Sequence, residues 1–214
     1  MPLGVVVGLT AEARIARRLG EVAIGGGHAT GAEAAAEQLV ARGVTALLSF
    51  GLAGGLDPNL YPGAVIVPVA VLDAGQRYFT DEDLCRALGG ATVNLVLAGD
   101  AIVAEAVHKR LLSAQTGASA VDLESGAVAR VAARHRLPFA VLRAVCDPAQ
   151  RNLPPAALAA LNSAGAIRLF AVLGSILIRP WQVPSLLRLA LDAALARHAL
   201  SRSARTLLRH LNGR

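Results

Sequence analysis

The sequence is punctuated by short, apolar, β-branched runs, each followed by a stretch whose apolar residues recur with helical spacing. Leu3 to Val7 ends at Gly8 and leads into a helical pattern over Ala11 to Leu19. Val22 to Ile24 precedes a helix over Ala32 to Ala41, and Val44 to Phe50 runs into a glycine-rich loop. Further strands are predicted at Ala64 to Val69, Thr92 to Leu97, Ser119 to Val121 and Phe139 to Val145, with helices over Ile102 to Leu112 and Ser125 to His135. Strands that alternate with helices and lack a polar face must be covered on both sides. The expected class is therefore α/β, a three-layer α/β/α arrangement around a mixed, largely parallel sheet, with amphipathic helices added at the C-terminus.

Pro154 and Pro155 suit the first turn of a helix running to about Ile178, where a missing N–H leaves no bond unmade. Pro180 and Pro184 bracket a break. Beyond it, Leu187, Leu191 and Leu195 share one helical face, and in a last helix Ala204, Leu207, Leu208 and Leu211 oppose Arg202, Arg205 and Arg209. The chain thus reads as a core domain over residues 1–178 and a basic helical extension over residues 179–214.

The net charge of +6 suggests nucleic acid until the charges are placed. Residues 1–178 carry 14 basic and 14 acidic side chains, whereas residues 179–214 carry seven arginines against Asp192 alone. With aromatics at 3%, the chain has little material for stacking bases, and nucleic-acid binding is not expected. Cys85 and Cys146 can form no disulfide framework and lack zinc-site spacing, so no metal is expected. MPLGVVVGLT places no basic segment before its apolar run, and Leu169 to Ile178 falls short of the roughly 20 residues a spanning helix needs. A cytoplasmic location is expected.

Two glycine clusters could face a ligand. Gly25, Gly26, Gly27 and Gly31 lie between a strand and a helix, but they follow the second strand and no acid stands where a dinucleotide's ribose needs one. A structural turn explains them better than an NAD site. Gly51-Leu-Ala-Gly-Gly-Leu56 follows a strand directly, where small residues let backbone amides approach a ligand, although a tight turn would serve equally.

Three segments, Gly51-Leu-Ala-Gly-Gly-Leu56, Val121-Asp-Leu-Glu-Ser125 and Leu142-Arg-Ala-Val-Cys-Asp147, resemble in order and spacing the signatures of purine nucleoside phosphorylases and methylthioadenosine/adenosylhomocysteine nucleosidases. Ala98-Gly-Asp-Ala-Ile102 resembles that superfamily's purine-pocket segment. The resemblance covers residues 1–178. Within the superfamily, AVDLESGAVARVAARHRLPFAVLRAVCDPAQR and the arginine-rich extension through Arg179-Pro-Trp181 are most similar to the hopanoid-associated phosphorylase branch, whose members are thought to release adenine from adenosylhopane.

The resemblance implies a division of labour. Breaking an N-glycosidic bond builds positive charge on the sugar and negative charge on the departing purine. Asp147 would be the acid at purine N7, a role that needs a raised pKa; the alternative is a turn aspartate before Pro148. Glu124 would accept hydrogen bonds from the ribose 2' and 3' hydroxyls, the alternative being an acid at a helix start, which Asp122 fits better. Leu123 stands where many relatives place a methionine under the sugar. Glu12 resembles the glutamate that activates water in nucleosidases, with a first-turn surface glutamate as the other reading. Ala53 and Gly54 would offer backbone to the substrate, and Ile102 and Val103 would line the adenine pocket or simply pack in the core.

Phosphorylases of this superfamily hold phosphate with an arginine and a serine near the strand-end glycines. Here Ser49 and Leu52 stand there with no arginine in the loop, leaving Arg14, Arg17, Arg18 or a neighbouring subunit's arginine to serve. Hydrolysis is favoured over phosphorolysis, with no resident cofactor and with phosphate as co-substrate in the second case. Methylthioadenosine/adenosylhomocysteine nucleosidase activity and a catalytically inactive nucleoside-binding protein are the competing functions. The expected partners are a purine nucleoside, lipid-linked in the hopanoid reading, and a second copy of the chain. The extension either lies on anionic lipid at the inner membrane face or packs on protein.

Overall fold

The computed structural model of the chain describes residues 2–158 and 180–212. In order these form β1 (Leu3–Val7), α1 (Thr10–Ala16), β2 (Glu21–Ile24), α2 (Ala29–Ala41), β3 (Ala46–Gly55), β4 (Val65–Ile66), β5 (Pro68–Asp73), β6 (Gln76–Phe79) and α3 (Glu82–Ala87). There follow β7 (Val93–Ala98), α4 (Ala106–Thr116), β8 (Ala120–Asp122), α5 (Ser125–His135), β9 (Phe139–Asp147), α6 (Pro155–Leu158), a 3-10 turn (Pro180–Gln182) and α7 (Val183–Asn212). The strands make one sheet in the order β2-β1-β3-β8-β7-β5-β6, with β9 also on β3 and β4 on β9. Pairs β1–β2, β1–β3, β3–β9, β5–β7 and β7–β8 are parallel. The pairs β3–β8, β4–β9 and β5–β6 are antiparallel, so the sheet is mixed and largely parallel, as the alternation of strands and helices predicts.

Successive strand residues point to opposite faces, and each face has its own helices. Val5, Val7, Leu48, Phe50 and Leu142 pack with Ala13 and Ala16 of α1, Leu84 of α3, and Ala199, Leu200 and Leu207 of α7. Val6, Leu47 and Val141 turn the other way, onto Ala32, Ala36 and Leu39 of α2 and Val128 and Val131 of α5. Those two apolar layers enclose β1, β3 and β9, the strands whose C-terminal ends carry the site.

Several elements differ from the sequence expectation. The glycine-rich stretch after Phe50 is not a loop: β3 continues to Gly55, its backbone groups paired with β9 and then β8, with a register shift at Ala53/Gly54. Helix α4 starts at Ala106, not Ile102, leaving residues 101–105 as a loop, and it stops at Gly117, whose φ of 71° is left-handed. The β5–β6 hairpin and α3 were not expected. The hairpin turns through Ala74 and Gly75, with φ of 47° and 83°, an unusual role for alanine, and α3 is a six-residue helix capped by Asp81.

At the C-terminus, two amphipathic helices were expected and one 30-residue helix is found. Nothing between Pro184 and Asn212 breaks a helix, and Ala196, Ala199, Leu200, Ala204 and Leu207 form a single buried stripe. Of the helix expected from Pro154 to Ile178, α6 supplies the first turn and residues 159–178 lie outside the described residues. No described helix is long and apolar enough to cross a membrane.

Candidate active site

Strands β3 and β9 run side by side with Gly51 opposite Arg143. The Arg143 side chain is buried, and its guanidinium crosses over β3 exactly where a larger residue would stand. A Cβ on Gly51 would lie 2.5 Å from Arg143 Nη1 and 2.8 Å from Glu12 Oε1. Glycine is therefore required at position 51 by close approach, not by turning.

A buried guanidinium is stable only with its donors engaged. Arg143 Nη1 donates to Glu124 Oε2 at 3.0 Å, and Nη2 donates to Ser49 Oγ at 2.7 Å and Ser125 Oγ at 3.3 Å. Its Nε lies 3.1 Å from Asp122 Oδ2, inside ion-pair range but without hydrogen-bond alignment. Asp122 also caps the start of α5, its Oδ1 accepting from the amides of Glu124 at 2.8 Å and Ser125 at 2.7 Å.

Glu12 is buried in the first turn of α1, at 2% exposure, and is no surface residue. Its Oε2 accepts from the amides of Gly8 at 3.0 Å and Leu9 at 2.8 Å, and Oε1 from the amide of Leu52 at 3.0 Å. Burial, then the nearby Glu124 carboxylate, pushes its pKa up to about 7 against the opposing pull of Arg143 and these amides. Glu124 is buried at the N-terminus of α5 and its pKa is also raised by burial, with Arg143 opposing. Its Oε1 accepts from the amide of Gly27 at 3.2 Å, in the turn where Gly26 and Gly27 take positive φ. The first glycine cluster is thus a turn that reaches the site. Three acids, Glu12, Asp122 and Glu124, thus share one buried guanidinium, and burial raises the pKa of both glutamates against its pull.

Asp147 ends β9 and is buried. Lys109, from α4, is fully buried; its Nζ donates to Asp147 Oδ2 at 2.5 Å and to the carbonyls of Arg151 at 3.0 Å and Pro148 at 3.1 Å. Burial raises the Asp147 pKa and Lys109 holds it back.

These groups surround one cavity of about 680 Å³. The eight residues assigned to catalysis or substrate binding from the sequence line it: Glu12, Ala53, Gly54, Ile102, Val103, Leu123, Glu124 and Asp147. Arg14, Arg17 and Arg18, the alternative anion ligands, are not among its lining residues, whereas Arg143 and Arg197 are. Most of the remaining lining is apolar, and α7 supplies Leu186, Leu187, Leu189, Ala190 and Ala193. Among the described residues, no group of three His, Cys, Asp or Glu side chains could hold a metal ion.

Sequence reasoning missed Arg143 and Lys109. Arg143 left a signal, a lone charge inside the apolar run Phe139 to Val145, which must find partners if the strand is buried. Lys109 left none, since His108-Lys109-Arg110 reads as a solvated helix face.

Residues 15–177 match the phosphorylase superfamily. No curated protein matches the chain. Among solved structures it is similar to the 5'-methylthioadenosine/S-adenosyl homocysteine nucleosidase of Helicobacter pylori, with TM-score 0.72 and 15% identity, covering 98% of this chain and 98% of that one. It is also similar to the futalosine hydrolase of Helicobacter pylori strain 26695, with TM-score 0.68 and 16% identity, covering 98% of each chain. A third is the 5'-methylthioadenosine/S-adenosylhomocysteine nucleosidase of Neisseria meningitidis, with TM-score 0.67 and 18% identity, covering 95% of this chain and 97% of that one. At such identities the likeness is one of fold, and it joins the family match over most of the chain: this protein belongs to the phosphorylase superfamily.

Proposed function

We propose that this chain cleaves the N-glycosidic bond of a purine nucleoside, releasing adenine. The observation that carries this is the gathering of three buried carboxylates, Glu12, Glu124 and Asp147, around one largely apolar cavity, each with its pKa raised by burial. Asp147 donates its proton to purine N7 as the bond electrons pass to the base. Glu124 accepts hydrogen bonds from the ribose 2' and 3' hydroxyls, which strengthen as the ring becomes cationic. Glu12, with a pKa of about 7, takes a proton from the water that attacks C1'. Ala53 and Gly54 offer backbone beside the substrate, Leu123 lies under the sugar, and Ile102 and Val103 flank the base.

Hydrolysis is favoured over phosphorolysis by the way Glu12 is held. The amides of Gly8, Leu9 and Leu52, which could seat a phosphate, already donate to the Glu12 carboxylate, and Arg143 is engaged by Glu124 and Ser49. A phosphate dianion would have to displace a buried acid.

The wall contributed by α7 supports a large apolar 5' substituent, as in the adenosylhopane of the hopanoid-associated branch. Leu187 lines the cavity and begins an exposed row with Leu191 and Leu195, on a helix that also carries Arg188, Arg197, Arg202, Arg205 and Arg209. That continuity suits delivery of a lipid-linked nucleoside from an anionic surface. Sedimentation with anionic vesicles at low salt tests it: co-sedimentation is expected, and its absence removes the lipid contact.

The activity is tested by chromatographic detection of adenine from adenosylhopane and from methylthioadenosine, with and without phosphate. Phosphate-independent release with preference for adenosylhopane is expected. Preference for methylthioadenosine would make this a methylthioadenosine/adenosylhomocysteine nucleosidase, a phosphate requirement would make it a phosphorylase, and no release from either would leave a nucleoside-binding protein.

A further inference from the structure

Lys109 is the only lysine in the sequence and is fully buried, and the roles proposed for the carboxylates do not use it. It comes from α4, an element otherwise largely at the surface, and reaches inward to end on three acceptors: Asp147 Oδ2 at 2.5 Å and the carbonyls of Arg151 and Pro148 at 3.0 and 3.1 Å. Three acceptors match the three N–H groups of an ammonium, so its hydrogen bonding is complete. Burying a lysine without solvent is costly unless its charge is met, and the single charged partner here is Asp147. The contact is one-sided: Asp147 lines the cavity, its Oδ2 is taken by Lys109, and among the described residues no hydrogen bond reaches its Oδ1.

We infer that Lys109 is a positioning residue for Asp147, fixing Oδ2 so that Oδ1 meets the purine, and stabilising the carboxylate left behind when Asp147 gives up its proton. The inference rests on the nucleosidase function proposed above. In the step, the C1'–N9 bond breaks and its electron pair goes to the purine; the proton on Asp147 Oδ1 moves to N7; Lys109 keeps all three of its protons and faces a carboxylate where it had faced a carboxylic acid. The positive charge is present before and after, so nothing has to reorganise as the negative charge appears. Lys109 thereby makes Asp147 a stronger acid than burial alone would leave it.

The other charged groups facing Asp147 are Arg151, in the loop after β9, and Asp192 of α7, which pair with each other at 2.5 Å and so offset one another. Arg110 and Arg188 line the cleft that adjoins the cavity at Asp147 and are exposed. Among the described residues, Lys109 is the one charged side chain paired with the Asp147 carboxylate.

The test compares the wild-type chain with Lys109→Gln, which keeps hydrogen-bond donors but loses the charge, and Lys109→Arg, which keeps the charge. For each, kcat and KM for adenine release are measured from pH 5 to 10, with thermal melting to establish folding. Asp147 must be protonated to act, so activity falls as pH rises through its pKa. Removing the ammonium weakens the acid: in Lys109→Gln, kcat falls roughly tenfold or more with KM little changed, and the alkaline limb moves to higher pH by about one unit. In Lys109→Arg the limb stays where the wild type has it. A folded Lys109→Gln whose limb coincides with the wild type's overturns the inference, because a lysine that only fills space would leave the limb in place. If Lys109→Gln does not fold, Lys109→Arg decides: a limb displaced despite the retained charge overturns it. A wild-type chain that releases no adenine overturns the nucleosidase proposal instead.

Discussion

Arg143 Nη1 stands 3.0 Å from Glu124 Oε2, and this bond joins the central strand β9 to the start of α5 across the floor of the cavity. It ties the fold's middle to the group proposed to hold the ribose. Stability and function therefore share a residue.

Replacing Arg143 by methionine keeps the volume roughly and removes the charge, leaving Glu12, Asp122 and Glu124 without their common partner. Breaking a buried pair from one side costs about 3–5 kcal/mol. Denaturant unfolding of Arg143→Met is expected to show a loss of that size together with loss of adenine release. Wild-type stability in this variant would mean that the guanidinium does not compensate the three acids.

Gly51→Ala tests close approach. The new Cβ would fall 2.5 Å from Arg143 Nη1, so the guanidinium must move and draw Glu124 with it. The strand itself tolerates alanine, and the expected outcome is a folded chain with kcat/KM reduced about tenfold or more. Steady-state kinetics beside circular dichroism checks this; unchanged kcat/KM would contradict the geometry.

Much of the fold was legible because parallel strands buried on both faces must be largely apolar, and Leu3 to Val7, Val44 to Phe50 and Phe139 to Val145 are, with Thr45, Ser49 and Arg143 as their polar members. The glycines after Phe50 misled because glycine signals a turn in most settings; here they continue β3 beneath a side chain, Arg143, that belongs to a strand more than 80 residues later. Ala74 concealed the β5–β6 turn because alanine rarely takes positive φ. Of the cavity, the carboxylates were legible through the motifs they sit in, whereas Lys109 was not, since helical spacing does not say which charged residue turns inward.

Glu12 links pH to stability as well as to rate. Its pKa in the fold is about 7 against an ordinary 4.5, so between those values the folded state holds a proton that the unfolded state has released. Stability from this group is therefore lost as pH rises from 4.5 to 7, by on the order of 3 kcal/mol in all. Unfolding titrations at pH 5 and pH 8 should show the wild type losing stability relative to Glu12→Gln across that interval. Parallel curves for the two proteins would contradict the raised pKa. In the rate, an ionised Glu12 is required for water activation, so kcat/KM should fall as pH drops below about 7.

The apolar wall of α7 makes a specificity prediction. Leu186 lines the cavity and is half-buried, so Leu186→Glu places a charge where a hydrocarbon would rest. Losing burial against one leucine is worth about 1.5–3 kcal/mol, or roughly tenfold to a hundredfold in affinity. KM for a nucleoside with a large apolar 5' group should rise by that factor, while KM for methylthioadenosine changes little. Equal effects on both substrates would place the 5' group elsewhere.

The most direct test of the central claim, that Asp147 completes cleavage of a purine N-glycosidic bond in this cavity, is adenine release by the wild type beside Asp147→Asn. An asparagine keeps the shape and cannot donate a carboxylic proton. A loss of about a hundredfold or more in kcat is the result the account predicts; adenine release by Asp147→Asn at the wild-type rate would contradict it.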